Sequence, residues 1–353
     1  MRTVQSIRDF RKASGKRQRD MAAELGLSEA AFVAAHIGAA LDVPGDYAAS
    51  PITAHPDEVM PLLPDLGEVM TLTRNGSCVH ERVGRFGTYK AGPHAAMVLG
   101  REIDTRIFPK YWAYGFAVTE LRPEGPRRSL QFYDLYGEAL QKIYLLAQSQ
   151  LAAWQPLVDR LRLPDPATEL APLPLPAPEG PKGDPAKRPA LIAGWQEMTD
   201  THQFNRLTHR LGMNRLGAYR MAGHPFVRAV DPASVGGWLR DLSMTGQKVI
   251  FFVGNRGHIQ IHWGAIRNVR PLGPWLNVLD ERFNLHLRGD HIAECYVVEK
   301  PTRRGLAVSL EAFDAAGELI FQCFGERESD SDDLAQWHHL LDALPSCSAE
   351  AAE

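Results

Sequence analysis

Two blocks of the chain alternate apolar and polar residues about turn signals. KVIFFVGNRGHIQIHWG turns around Gly254–Gly257, and SLEAFDAAGELIFQCFG turns around Asp314–Gly317. Period-two alternation on both sides of a Gly- or Asp-containing turn predicts a β-hairpin in each. Neighbouring meanders of this kind predict antiparallel sheet rather than alternating βα units. Elsewhere the apolar period lengthens to that of a helix. RDMAAELGLSEAAFVAAHIG (19–38) predicts a helix, a turn at Gly26 and a second helix capped by Ser28. MTDTHQFNRLTHRLG (198–212) predicts a helix capped by Asp200 or Thr201 and ended by Gly212, and Asn214 caps another that ends at Gly223.

The same plan is written twice. RNGSCVHERVGRFGTY places an Asn-Gly turn at Asn75, and GNRGHIQIHWGAIRNV places its equivalent at Asn255. SLQFYDLYGEALQKIY starts at Ser129, and SLEAFDAAGELIFQCF starts at Ser309, so both pairs are 180 positions apart. Two separated motifs at one offset indicate a tandem duplication. Between the copies, residues 164–189 carry nine prolines in 26 positions, a density that defeats helix and central strand and predicts an extended linker. The expected organisation is an N-terminal repeat over 1–163, a linker over 164–189 and a C-terminal repeat over 190–353. Each repeat is helices followed by a large antiparallel sheet: α+β, duplicated.

Composition narrows the function classes. A net charge of -3 argues against a general nucleic-acid binder, although a local basic patch remains open. No apolar run is long enough to span a bilayer, and the first residues lack a signal-peptide core, so a cytoplasmic protein without membrane insertion is expected. Cys78, Cys295, Cys323 and Cys347 form no CxxC pair and are too sparse for a disulfide framework. The 19–38 segment has the outline of a helix-turn-helix, but its second helix carries Glu29 and neither Lys nor Arg, which suits a phosphate-lined groove poorly. GxSxG, HExxH, Walker and GxGxxG patterns are absent, and with them any built-in flavin or nicotinamide site. His258 and His262 share one strand face. A two-histidine metal site lacks a third local ligand, so a solvated strand face is the expectation.

The 198–212 helix has different company. His202 and His209 lie nearly two turns apart, Arg206 stands one turn from His202, and Arg210 and Arg215 follow. Lys300 and Arg327 end predicted strands in the same half, and Phe251 and Phe252 supply apolar area. An imidazole, aromatic walls and several cations suit a planar, iron-containing dianion: haem needs a nitrogen ligand, apolar contact and cations for two propionates. A basic helix exposed to water accounts for the same residues, and on residue types alone both readings stay open.

MTDTHQF, FFVGNRGHIQIHWG, GPWLNVLDERFNLHLR, VVEKPTRRG and SLEAFDAAGELIFQCFGERE, with VHERVGRF and REIDTRIFPKYW in the first half, strongly resemble the bacterial cytoplasmic haem-utilisation family. These are the haemin-degrading or haem-trafficking proteins of the HemS/ChuS type. The resemblance implies a duplicated α+β fold with one non-covalent haem b in a cleft between the halves. It implies His202 as the proximal iron ligand and Arg106 as a distal donor with Phe108 beside it; His209, on the same helical face as His202, is the alternative ligand. It further implies Arg215, Lys300 and Arg327 as cationic haem contacts, Phe252 as an aromatic wall, and His80 as a histidine of haem breakdown, so that His80 and Arg106 are catalytic if the protein degrades haem. Family members often carry Tyr where this chain has Phe324, which removes a phenol but keeps the ring. The implied function is a cytoplasmic haem carrier that accepts imported haem and delivers it for iron release. The alternative is an oxygenase-like enzyme with an external electron donor, and a DNA-binding regulator is more distant. The implied partners are haem, a haem oxygenase and the cytoplasmic side of a haem importer.

Overall fold

The computed structural model describes residues 3–164, 170–326 and 334–347. The chain forms two compact units. The first gathers Met1–Arg74, His80–Pro176 and Gly254–Ile261; the second gathers Asn75–Val79, Ala177–Val253 and His262–Glu353.

The first unit opens with α1 (Val4–Ala13), α2 (Gln18–Glu24) and α3 (Glu29–Ala34). Gly26 turns the chain at φ 66°, and the Ser28 hydroxyl caps α3 by accepting from Ala31 N–H, both as the sequence predicts. Then come β1 (Tyr47–Ile52), the single turn α4 (Pro56–Val59), β2 (Glu68–Arg74) and β3 (Cys78–Arg85), whose first two residues belong to the second unit. β4 (Thr88–Lys90), β5 (Ala96–Leu99), β6 (Asp104–Ile107), β7 (Tyr114–Arg122), β8 (Gly125–Tyr133), β9 (Ala139–Leu145) and α5 (Trp154–Leu161) complete the series. Antiparallel pairing runs β1–β7–β8–β9–β2. A second set pairs β4, β5 and β6 with His258–Ile261. The core lies between α5 and sheet residues such as Val69, Leu130, Phe132 and Ile143.

The second unit opens with α6 (Arg188–Gln196), α7 (Gln203–Leu211) and α8 (Arg215–Ala222). β10 (Val227–Val230), α9 (Val235–Thr245), β11 (Val249–Gly254), β12 (His258–Gly264), β13 (Val269–Leu272), β14 (Trp275–Leu279) and β15 (Phe283–Arg288) follow. The chain ends with β16 (Glu294–Thr302), β17 (Gly305–Phe313), β18 (Leu319–Gly325) and α10 (Ala335–Asp342). Pairing again runs through five strands, β10–β16–β17–β18–β11, with β13–β14–β15 as a second set. Val249, Phe251 and Val253 of β11 point inward, and Trp238 of α9 meets Trp337 of α10 edge-on at 6.0 Å. Full burial of a side chain such as Phe251 contributes roughly 1.5–3 kcal/mol.

The 180-residue offset reappears in individual hydrogen bonds. Asn75 N–H donates to Cys78 O, and Asn255 N–H donates to His258 O. Each asparagine side-chain oxygen also accepts from the two amides that close its own turn. The Asn75 amide then donates to Ile320 O in the second unit, while the Asn255 amide donates to Leu140 O in the first. Arg288 N–H reaches Ser77 O as Phe108 N–H reaches Gly257 O. Each repeat therefore lends its Asn turn to the unit built mainly from the other. Local alternation predicts strands at these places but carries no information about which unit receives them.

Residues 170–184 carry no regular secondary structure, as their prolines require, and Leu173 N–H donates to Leu135 O in the first unit. In the second unit Asn214 fastens the far end: its Oδ1 accepts from Lys182 N–H at 2.9 Å, and its own N–H donates to Lys182 O at 3.0 Å. A short 3₁₀ turn at Pro185–Lys187 leads into α6, so helix starts before residue 190.

Candidate haem-ligand site

α7 follows from its own residues. Phe204, Leu207 and Thr208 are buried, and the Phe204 ring lies 4.8 Å from Trp195 and 5.4 Å from Tyr219. Asn205, Arg206, His209 and Arg210 face water. Gly212 adopts the left-handed conformation at φ 69°, and Met213 N–H donates to Thr208 O, which closes the helix. The start differs from expectation, because His202 occupies the N-cap position and Asp200 lies two residues before it.

His202 is held from one side only. Its Nδ1 lies 2.7 Å from Asp200 Oδ1, and the same oxygen accepts the His202 backbone N–H at 2.7 Å. The carboxyl of Asp200 is lowered below its ordinary range by these two bonds, the backbone one foremost. Gln203 braces the turn by accepting from Thr199 N–H at 2.8 Å and donating to the Thr199 hydroxyl. The His202 side chain is 87% exposed, and among the described residues Nε2 has no hydrogen-bond partner. An open pocket of about 360 Å³ surrounds it, lined by Thr199, Asp200, His202, Gln203, Arg206 and Arg303. A histidine whose Nδ1 is occupied and whose Nε2 is free suits a metal ligand. His209 stands exposed in the last turn of α7.

Beneath α7 and α8 lies a buried ionic cluster that pattern alone does not reveal. Glu311 is fully buried; its Oε1 accepts from Lys300 Nζ at 2.8 Å and from the Ser309 hydroxyl at 2.9 Å. Its Oε2 accepts from the Tyr219 hydroxyl at 2.8 Å and from Arg215 Nη1 at 3.1 Å. Burial alone raises the Glu311 carboxyl, but Lys300 and Arg215 overcome it and hold the group at about 2. Burial pulls the Lys300 ammonium down, against the pull of Glu311. Lys300 is 2% exposed and committed to this cluster, whereas the Arg215 side chain keeps 23% of its surface and reaches Asn205 through Nη2 at 3.1 Å.

The first unit contains a comparable cluster in which the helix residue has the opposite charge. Glu29 opens α3 as Arg215 opens α8, after the matching turns LGLS and LGMN. Glu29 is buried and pairs with Lys142 of β9 and Arg74 of β2. Here the helix carries the anion and the sheet carries the cations.

The remaining predicted residues are distributed as follows. Arg106 of β6, in the first unit, pairs with Asp104 and donates to Thr105 O at 3.0 Å, with 31% of its side chain exposed. Phe108 follows it, half-buried. Phe252 and Phe324 of the second unit are half-buried and meet edge-to-face at 5.6 Å. Arg327 lies outside the described residues. His80 is fully buried in the first unit, its Nδ1 2.8 Å from the Gln260 side-chain nitrogen. The solvated strand face expected for His258 and His262 is not found. His258 is fully buried with Nδ1 2.7 Å from the Thr73 hydroxyl, and His262 is buried and stacked on Phe283 at 3.7 Å. Each is packed as core of its own unit. Among the described residues no group of three or more His, Cys, Asp or Glu forms a metal site, and no helix is long and apolar enough to cross a membrane.

Asp200, Arg303, Tyr219 and Glu311 are the participants that motif reading passed over. Glu311 lies inside the SLEAF block, and a carboxylate alternating into a predicted sheet face was its available signal.

Comparison with known proteins identifies the family. A model of the haemin-degrading HemS/ChuX domain matches residues 26–161 and again residues 212–344. The hemin transport protein HmuS of Yersinia pestis is 35% identical over 332 residues, 94% of this chain and 93% of that protein. The structure of holo-PhuS, a heme-binding protein from Pseudomonas aeruginosa, superposes with a TM-score of 0.90 at 35% identity, covering 98% of both chains. ChuS, described as an E. coli heme oxygenase, superposes with a TM-score of 0.82 at 30% identity, covering 95% of this chain and 98% of that one. With both repeats matched by one domain model and nearly its whole length paired with a curated relative, the chain belongs to the haemin-degrading HemS/ChuX family.

Proposed function

We propose that this protein binds haem b non-covalently, with His202 as the iron ligand, and carries it in the cytoplasm from an importer to the enzyme that releases its iron. The observation that carries the proposal is the state of His202: Nδ1 is anchored on Asp200, and Nε2 stands free in an open pocket beside Arg206 and Arg303. Bound there, haem supplies a Lewis-acidic iron that takes one nitrogen donor and two carboxylates that require cations. Arg215, whose side chain keeps 23% of its surface, is assigned to one of them. Lys300 acts by keeping charge balance around Glu311, and Phe252 and Phe324 supply apolar contact. The family resemblance assigns charge-assisted hydrogen bonds toward an anionic oxygen to Arg106, whose side chain is 31% exposed and paired with Asp104.

A single imidazole that is 87% exposed favours a carrier, since ligand exchange at such a position needs no unfolding of the core. Haem degradation is the second reading, favoured by the likeness to ChuS. It requires electrons from outside, and His80 has to leave its buried contact with Gln260 to take part. The two are separated by incubating the haem complex with reductant, oxygen and catalase, and in parallel with an apo haem oxygenase. Intact haem that passes to the oxygenase is expected. Formation of a defined bilin without the oxygenase overturns the carrier assignment.

A further inference from the structure

We infer that Asp200 is the positioning residue of the iron ligand: it accepts the Nδ1 proton of His202, fixes the tautomer that leaves Nε2 unprotonated, and so selects His202 over His209. The inference rests on the proposal that His202 is the haem ligand and concerns what prepares that imidazole before haem arrives.

One oxygen, Asp200 Oδ1, receives both the backbone N–H and the ring nitrogen of His202, each at 2.7 Å. A ring tied to its own backbone through a shared acceptor loses freedom about both side-chain torsions. That acceptor is fixed in turn. Asp200 O accepts from Gln203 N–H, Gln203 clasps Thr199, and Thr199 O accepts from Arg303 N–H at 3.0 Å, which joins the turn to the β16–β17 hairpin. Phe204, packed on Trp195, anchors the next residue but one. The imidazole is therefore exposed on a rigid base. His209, seven residues on, is also exposed, but among the described residues its ring has no hydrogen-bond partner. Its tautomer is unselected, and it pays the full orientational cost on binding.

The chemistry follows from the carboxylate. A hydrogen bond from the distal ring nitrogen of a metal-bound histidine to an anionic acceptor strengthens the imidazole as a donor and orients its plane. It stabilises ferric over ferrous iron, because the added negative charge favours the higher oxidation state. An ordinary turn-capping aspartate makes the backbone bond and has no effect on the iron. Asparagine keeps an acceptor oxygen for the turn but removes the charge, whereas alanine removes both.

The test compares wild type, Asp200→Asn, Asp200→Ala and His202→Ala, each loaded with haem and checked for folding by thermal melting of the apo form. The readouts are haem affinity, the iron–histidine stretching frequency of the ferrous complex by resonance Raman, and the ferric/ferrous potential. The expected result is a lower stretching frequency and a more positive potential in both Asp200 variants, with affinity weakened about 10–100-fold in Asp200→Ala and less in Asp200→Asn. A tenfold greater loss for ferric than for ferrous haem corresponds to a shift of about 59 mV. If both Asp200 variants keep the wild-type frequency and potential while His202→Ala changes them, His202 is the ligand and the Asp200 inference is overturned. If His202→Ala itself leaves the spectra unchanged, the ligand assignment falls and the inference with it.

Discussion

The carboxylate of Glu311 and the ammonium of Lys300 meet at 2.8 Å with 0% and 2% of their residues exposed, and Arg215 shares the same carboxylate. One buried anion thus serves two cations. Removing it strands both, whereas removing Lys300 leaves Glu311 still paired with Arg215. Breaking a buried pair costs about 3–5 kcal/mol. Glu311→Gln is expected to lose that much in denaturant unfolding, and Lys300→Met clearly less. Equal losses, or a larger loss for Lys300→Met, contradict the asymmetry.

Acid should destabilise the apo protein in two stages. Burial lowers His36 from an ordinary 6.5 to about 4 and His258 from 6.5 to about 3, so both are neutral in the folded state. A depressed folded pKa gives stability that is complete above the unfolded value and lost as pH falls toward the folded one. The first loss therefore begins below pH 6.5 and belongs to the histidines. Glu29 and Glu311, lowered from 4.5 to about 2 despite burial because their cations hold them ionised, add a second loss below pH 4.5. For His36 the upper bound is on the order of 3 kcal/mol at 1.36 kcal/mol per unit. Melting temperature followed from pH 8 to pH 4 checks this. In His36→Gln the slope between pH 6.5 and pH 4.5 should flatten, and an unchanged slope excludes that histidine as a source.

Gly217 of α8 faces the proline-rich segment so closely that a Cβ there would lie 2.0 Å from Lys182 O. Gly217→Ala must push Lys182 off the Asn214 cap beside Arg215. Overpacking of this kind costs typically about 1–3 kcal/mol. The expected outcome is a lower melting temperature and faster protease cleavage between residues 170 and 184. Wild-type values for both mean that the contact yields without cost.

Much of the second unit was legible because its stops and caps are local chemistry. Gly212 and Gly223 end their helices, Asn214 caps α8, and the hairpin at Asp314–Gly317 forms where its turn residues stand. The duplication was legible too, since Asn75 and Asn255 make the same turn. What a one-dimensional pattern omits is destination. Gly254–Ile261 reads as part of one hairpin but folds into the first unit, because alternation specifies a strand and not its sheet. Lys300 reads as a cation at a strand end, and only the three-dimensional position of Glu311 accounts for its burial. His258 and His262 alternate like surface residues, yet Thr73 and Phe283 arrive from distant sequence to cover them.

The most direct test of the central claim is a haem titration of the purified apo protein and its His202→Ala variant, read by absorbance and affinity together, with His209→Ala as control. Retained binding with an altered Soret band or weakened affinity in His202→Ala, and wild-type behaviour in His209→Ala, is the predicted result. An unchanged spectrum and affinity in His202→Ala would contradict it.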